Sequence, residues 1–413
     1  MKQSNTQIDP FERVKELSPK LVEMVDAIFD DMIVIRRDLR KFPELAFQEK
    51  RTSTIVASCL KEWGYEVTEG VGGTGVIGIL RGEHPGPVIG LRADMDALPM
   101  PDEIDEIYRS VNSGIAHTCG HDVHTTNLLG VAKIISVMGL ERGTLKLFFQ
   151  PAEEVGAGAK AMIDDGALQN PPVDLMAGLH VAPSLQVGEF SITNSEFSCA
   201  AVDIFELEVT GKGGHAAHPH LAVDAVMITA QVLVALQQIV SRQIDPLDSV
   251  VLSIGQIQGG TKGTILPNTV KVNGTVRTMI PATREAMPIR IEQIASNVAA
   301  AFGGSVRLTY EKVTPSVQND KSAKALLHDV VSELFGEDAL KYTNPSMGGE
   351  DFAYFAQEVP SVFFRLGTNS GESTAHGIHT TKFNVDEEAI RYGMTVLSYL
   401  TYQYLLDEKR ETK

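Results

Sequence analysis

The chain has 413 residues, with 36 basic and 53 acidic side chains and a formal net charge of −17. That length buries a sizeable core over two or three domains, and the acidic balance argues against nucleic acid, whose phosphates such a surface repels. Three cysteines, at 59, 119 and 199, cannot build a disulfide framework. The charged N-terminal stretch lacks an apolar targeting core, and no apolar run reads as the roughly eighteen residues of a membrane span, so the expectation is a soluble, cytoplasmic protein.

Residues 21–40 carry apolar side chains at helical spacing (Leu21, Met24, Val25, Ile28, Met32, Ile35, Leu39), and Pro43 closes that helix. Short β-branched runs follow at 75–80 and 88–92, then an apolar helix at about 125–138. A strand at 144–150, a helix near 157–168 and a strand at 174–181 come next. Strands alternating with helices predict a doubly wound, mostly parallel α/β sheet. Ligands in such sheets sit beyond the carboxyl ends of strands. Polar clusters stand there: Asp94 and Asp96 after 88–92, Glu153 and Glu154 after 144–150, and His180 closing 174–181.

After about residue 195 the pattern changes. A strictly alternating strand (202–211), a long apolar helix (222–242), strands at 249–258 and 269–279, a helix (283–302) and a strand (305–314) spell βαββαβ. That is the order of a ferredoxin-like domain. The expected organisation is therefore a catalytic domain in two parts, 1–195 and 317–413, around an inserted domain at 196–316. From about 318 come a helix, a strand at 362–367 and a closing helix at 386–407.

The chemistry concentrates in His117-Thr118-Cys119-Gly120-His121-Asp122-Val123-His124, which holds three of the eleven histidines and one of the three cysteines. A thiolate and an imidazole on either side of a glycine can face one divalent ion, and this donor pair suits zinc or another late first-row metal. Glu153 and Glu154 are adjacent carboxylates whose side chains diverge, so one can bind a metal while its neighbour serves as general base. His376 and His379 lie in a glycine-containing loop before the last helix. Cys119, His121, Glu154, His180 and His379 together make five metal-type donors in loop or strand-end settings. In the inserted segment, His215 sits in Gly211-Lys212-Gly213-Gly214-His215, where an imidazole on a separate domain can stabilise an oxyanion as domains close. Asn268 and Arg277 can hold a substrate carboxylate, and Gly348-Gly349-Glu350-Asp351 is a glycine turn whose acids can orient a ligand.

These motifs resemble the two-domain metallo-amidohydrolases that include aminoacylases, hippurate hydrolases and indole-acetyl-amino-acid hydrolases, relatives of the dinuclear-zinc exopeptidases. The likeness runs through RRDLRKFPEL, LRADMDALPM, HTCGHDVH, FFQPAEE, GLHV, GKGGHAAHPH, MGGEDFAYF and HGIHTTKFN. It implies hydrolysis of the amide bond of N-acyl amino acids or related amides. It also implies two divalent ions per subunit (zinc, manganese, cobalt or nickel) on Cys119, His121, Glu154, His180 and His379. Glu153 would be the base, Asp96 would orient a ligand, and His215 would act on substrate from the inserted lid, which in this family often makes homodimers. Arg40, His218 and residues 101–114 depart from the family's usual pattern. Two other readings remain: an amidase using Cys119 as nucleophile with His121 or His124 as base, and a binding homologue without activity.

Overall fold

A computed structural model describes residues 10–407. Its contacts divide the chain into two units, and each is treated by itself.

The first unit comprises Met1–Ser198, Gln318–Asn344 and Tyr354–Lys413. Its elements begin with α1 (Pro10–Leu17), α2 (Pro19–Lys41), α3 (Lys50–Glu62), β1 (Glu66–Val71), β2 (Gly75–Arg81) and β3 (His84–Asp94). They continue with α4 (His121–Met138), β4 (Arg142–Gln150), α5 (Gly158–Asp164), β5 (Leu175–Gln186) and β6 (Phe190–Thr193). The eight-stranded sheet has its middle strands β4, β3, β5 and a later strand, Ser361–Asn369, running parallel. β1 and β2 add antiparallel pairings on one side, while β6 pairs antiparallel with Ser361–Asn369. Strands covered on both faces read as apolar runs rather than alternating ones, and β5 is buried from Leu175 to Ala182. α4 is buried on nearly every side, as expected of a helix apolar all round. The sequence expectation of a large, mostly parallel sheet holds.

Two local differences matter. His180 does not close its strand: β5 runs on to Gln186, and His180 lies mid-strand opposite Arg365. The polar residues after Ala182 look like a loop in sequence, but they alternate in burial as the strand leaves the core. Likewise Asp94 is the last residue of β3 rather than part of the following loop.

The second unit, Cys199–Val317 with Pro345–Ala353, contains β7 (Ala201–Thr210), α6 (Ala225–Gln238), β8 (Val250–Gly259), β9 (Thr269–Thr278), α7 (Pro281–Ala301) and β10 (Ser305–Thr314). Its antiparallel sheet has the order β8-β9-β7-β10. Inward side chains of β7 and β9 (Phe205, Leu207, Val209, Val272, Val276) pack against Ile228, Val232 and Leu236 of α6 and Met287, Ile291 and Ala295 of α7. Asp203 on β7 takes both Nε and Nη2 of Arg284 and the hydroxyl of Tyr310, tying α7 to the sheet. The segment Pro345–Ala353 belongs with this unit, whereas the sequence reading places all of 317–413 in the first domain. Cys199 bridges to Ser346, and Gly349 packs so close to Val202 that a Cβ would stand 2.4 Å from its Cγ2. The 19-residue helix Ala225–Gln243 reaches a mean hydropathy of 1.3 over an 18-residue stretch, long and apolar enough to span a membrane by composition. The sequence reading recognises no such run; one face of this helix is the core of the second unit.

The first unit is completed by α8 (Lys321–Phe335), β11 (Leu340–Thr343), β12 (Ser361–Asn369) and α9 (Glu388–Leu406), giving the sheet order β1-β2-β4-β3-β5-β12-β6-β11. No disulfide joins Cys59, Cys119 or Cys199.

Candidate metal centre

The loop from β3 to α4 reaches its critical point at Gly120, in the left-handed region with φ +90°. A Cβ there would stand 2.4 Å from Val181 Cγ2, so both backbone conformation and space require glycine. The turn sets Cys119 and His121 on either side of it. Cys119 Sγ comes to 3.3 Å from His180 Nε2 on β5. The other nitrogen of His180, Nδ1, lies 2.8 Å from the Val181 carbonyl. A carbonyl only accepts, so Nδ1 carries the proton and Nε2 presents a lone pair toward Cys119.

His121 opens α4. Its Nε2 lies 3.8 Å from Glu154 Oε1 and 4.0 Å from Glu153 Oε2, and its Nδ1 lies 3.3 Å from Asp96 Oδ1. Glu154 Oε1 is in turn 3.5 Å from His379 Nε2. His379 has φ +58° and donates its backbone N–H to the Thr118 carbonyl at 2.8 Å, which pins its loop to the Cys119 turn. Asp96 accepts the backbone N–H of Glu153 at 3.0 Å and that of Glu154 at 3.1 Å, one on each oxygen. It therefore fixes both glutamates at the end of β4 while facing His121.

The ligand atoms of Cys119, His121 and His180 lie within 4.8 Å of one another; the same is true of Cys119, Glu154 and His379, and of His121, Glu153 and Glu154. Donors about 2.0–2.3 Å from a tetrahedral ion sit roughly 3.5 Å apart, which matches these spacings. His121 Nε2 and Glu154 Oε1 are buried without hydrogen-bond partners, an expensive state unless a cation satisfies them. Thiolate, imidazole and carboxylate converging on orphaned atoms fit a divalent ion.

Burial, reinforced by Glu154 and Glu153, pushes the Cys119 thiol well above its ordinary range, although His121 opposes this. Burial works against a charged His121, yet Asp94, Cys119 and Asp96 carry its pKa well above normal. Burial pushes His180 well down, leaving it neutral. Burial would raise Glu154, but His379 and His121 hold it below the usual carboxylate range. Glu154 and His180 are thus already in the forms that bind a cation, whereas Cys119 and His121 would each release a proton on binding one.

Around this cluster are groups to which the sequence motifs assign no role at the centre. Glu49, fully buried, accepts the N–H of Ala152 at 2.9 Å and so steadies the turn leading to Glu153. Arg36 donates to Asp122, Glu387 and Asn384. Arg40 binds both oxygens of Asp102 and the carbonyls of His117 and Phe383. A basic residue at the end of an amphipathic helix normally reads as solvated, so the sequence reading gives neither arginine a buried ion pair. Their apolar-face spacing (Met32, Arg36, Leu39, Arg40) was the available signal.

His215, Asn268 and Arg277 all belong to the second unit. His215 bridges to Ile265, and its Nδ1 accepts the N–H of Ala217 at 3.0 Å. Asn268 Oδ1 accepts the N–H of Gly213 at 2.8 Å, shaping the glycine turn that carries His215. Arg277 on β9 donates to Thr275 Oγ1 and to the Val276 carbonyl; burial lowers its pKa against the pull of Asp203.

Comparison with known proteins places this arrangement. The chain is 41% identical over 389 residues to a probable hydrolase, sll0100, of Synechocystis sp., covering 93% of this chain and 98% of that protein. It is 38% identical to N-acetyl-L-cysteine deacetylase of Bacillus subtilis, covering 92% and 90%. The solved structure of the Bacillus subtilis YXEP protein, described as a dinuclear metal binding peptidase from the M20 family, superposes with a TM-score of 0.81 at 32% identity over 92% of this chain and 99% of that one. Residues 90–403 match the model of peptidase family M20/M25/M40, and the chain belongs to that family.

Proposed function

We propose that this protein is a metal-dependent amidohydrolase that cleaves the amide bond of N-acyl amino acids or related small amides. The observation that carries the reading is the convergence of Cys119, His121, Glu154, His180 and His379, drawn from four separate segments, around the buried and unpartnered His121 Nε2 and Glu154 Oε1. We assign these five as ligands of a pair of divalent ions. The deacetylase and dinuclear-peptidase relatives support both the reaction and the ion count. A divalent ion there supplies Lewis-acid polarisation of a carbonyl and makes water acidic enough to ionise near neutral pH. Glu153, whose side chain keeps 11% exposure beside His121, takes the proton of the attacking water and passes it to the leaving nitrogen. Asp96 holds Glu153 and Glu154 by their backbone N–H groups. His215 stabilises developing charge on the substrate oxygen, and Asn268 and Arg277 receive the substrate carboxylate. We read the second unit as a ferredoxin-like lid, on its βαββαβ order, and as a dimerising surface, on the exposed edge strand β8 and the outward Met227 and Val234 of α6.

Metal analysis before and after chelation, with turnover measured on N-acetyl, N-benzoyl and N-carbamoyl amino acids, tests the reading. Activity should vanish with the metal and return with it. A chelator-resistant enzyme would instead favour Cys119 as nucleophile, but a thiol raised by burial is a poor source of thiolate without a cation.

A further inference from the structure

The parallel ladder between β3 and β5 runs from Ile89 opposite Leu175 to Arg92 opposite Gly178 and then stops. On the other side, β5 keeps its ladder to β12 past His180 and Val181. The β3-facing backbone of β5 beyond Gly178 therefore loses its strand partner inside a buried region, where an unpaired N–H is costly. His124, from the first turn of α4, fills that gap. Its Nε2 accepts the N–H of Val181 at 2.9 Å, and its Nδ1 lies 2.6 Å from Asp94 Oδ1, at the end of β3. With Nε2 accepting, the proton sits on Nδ1 and is given to the carboxylate. The hydroxyl of Thr125 donates to the Asp94 carbonyl at 2.8 Å, locking the same strand end. One imidazole thus replaces the missing rung between two diverging strands.

The residue it grips sets the ligand geometry. Val181 receives the Nδ1–H of His180 on its carbonyl while giving its own N–H to His124. We infer that the Asp94–His124 pair is a positioning relay, in which His124 holds the Val181 peptide so that His180 keeps its Nδ1–H tautomer and aims Nε2 at Cys119. This rests on the assignment of Cys119 and His180 as metal ligands made above. It predicts that His124, although a histidine within the metal motif, contributes no ligand: both of its nitrogens are occupied.

The test uses the full-length protein stripped of metal and titrated with cobalt(II) against a competing chelator. Binding is read from thiolate-to-cobalt charge-transfer absorption, and folding is checked by circular dichroism. His124→Asn keeps the reach to Asp94 but is too short for Val181; it should weaken cobalt binding about 10- to 100-fold, the range for loss of a ligand's supporting partner. His124→Gln, long enough to accept from Val181, should bind within a few-fold of the natural protein. Hydrogen exchange of the β5 peptide should quicken in His124→Asn and not in His124→Gln. If His124→Asn binds cobalt like the natural protein while His180→Ala is weakened, the relay is wrong and the ligand assignment stands. If His180→Ala also binds unchanged, with its charge-transfer band intact, the ligand assignment fails and the relay with it.

Discussion

Arg40 offers a prediction whose size follows from the structure. Its side chain is fully buried, as is that of Asp102, and the two meet through paired bonds of 3.1 and 2.9 Å. Arg40 also donates to the carbonyls of His117 and Phe383, both at 2.7 Å, and its guanidinium lies 5.9 Å from the Phe383 ring centroid. Those carbonyls flank the turn bearing Cys119 and the loop bearing His379. Removing one partner of a buried ion pair costs about 3–5 kcal/mol because the other charge stays behind. Two carbonyls left for water to satisfy add on the order of 1 kcal/mol. Arg40→Ala should therefore lose roughly 4–6 kcal/mol. Asp102→Ala should lose about 3–4 kcal/mol, since the carbonyl bonds survive. The double variant should fall short of the sum by about 2 kcal/mol or more, as expected of contacting residues. Urea unfolding followed by fluorescence and circular dichroism measures each corner, with metal-free protein so that ion binding does not enter. An Arg40→Ala cost under about 1 kcal/mol, or strict additivity, would refute the argument. The pair also ties the end of α2 to segment 101–114, which carries Asp102.

Glu153→Gln should retain bound metal and lose nearly all turnover; substantial residual activity with full metal content would remove Glu153 as the base. Gly120→Ala must place a Cβ in left-handed backbone, at about 1–2 kcal/mol, and against Val181, at about 1–3 kcal/mol, so it should lose roughly 2–5 kcal/mol and bind metal poorly; a stable variant with native metal affinity contradicts the close packing. Burial pushes the pKa of His117 from 6.5 down to about 4, so its contribution to stability is complete above pH 6.5 and is lost as pH falls toward 4. One buried imidazole kept neutral across that window amounts to roughly 3 kcal/mol. The stability curve of His117→Gln should be correspondingly flatter there, and parallel curves for the two proteins would count against it.

Much of the centre was readable before any fold was known. The spacing Cys119-Gly120-His121, the adjacent Glu153 and Glu154, and histidines near strands mark donors by residue type, because soft and borderline ligands are chemically rare. The alternation of strands and helices also fixes the sheet class, since short β-branched runs separated by amphipathic helices pair in parallel. Periodicity could not place His180 inside β5, because a strand covered on both faces carries no alternation until it leaves the core. Nor could it show which acids and carbonyls Arg36 and Arg40 pair with, that Pro345–Ala353 packs with the second unit, or that His124 closes the gap between β3 and β5. Those depend on which strands diverge and which backbone groups are then left without partners. Residue chemistry is local and written in the chain, whereas the pairing of buried charges and orphaned amides exists only after distant segments meet.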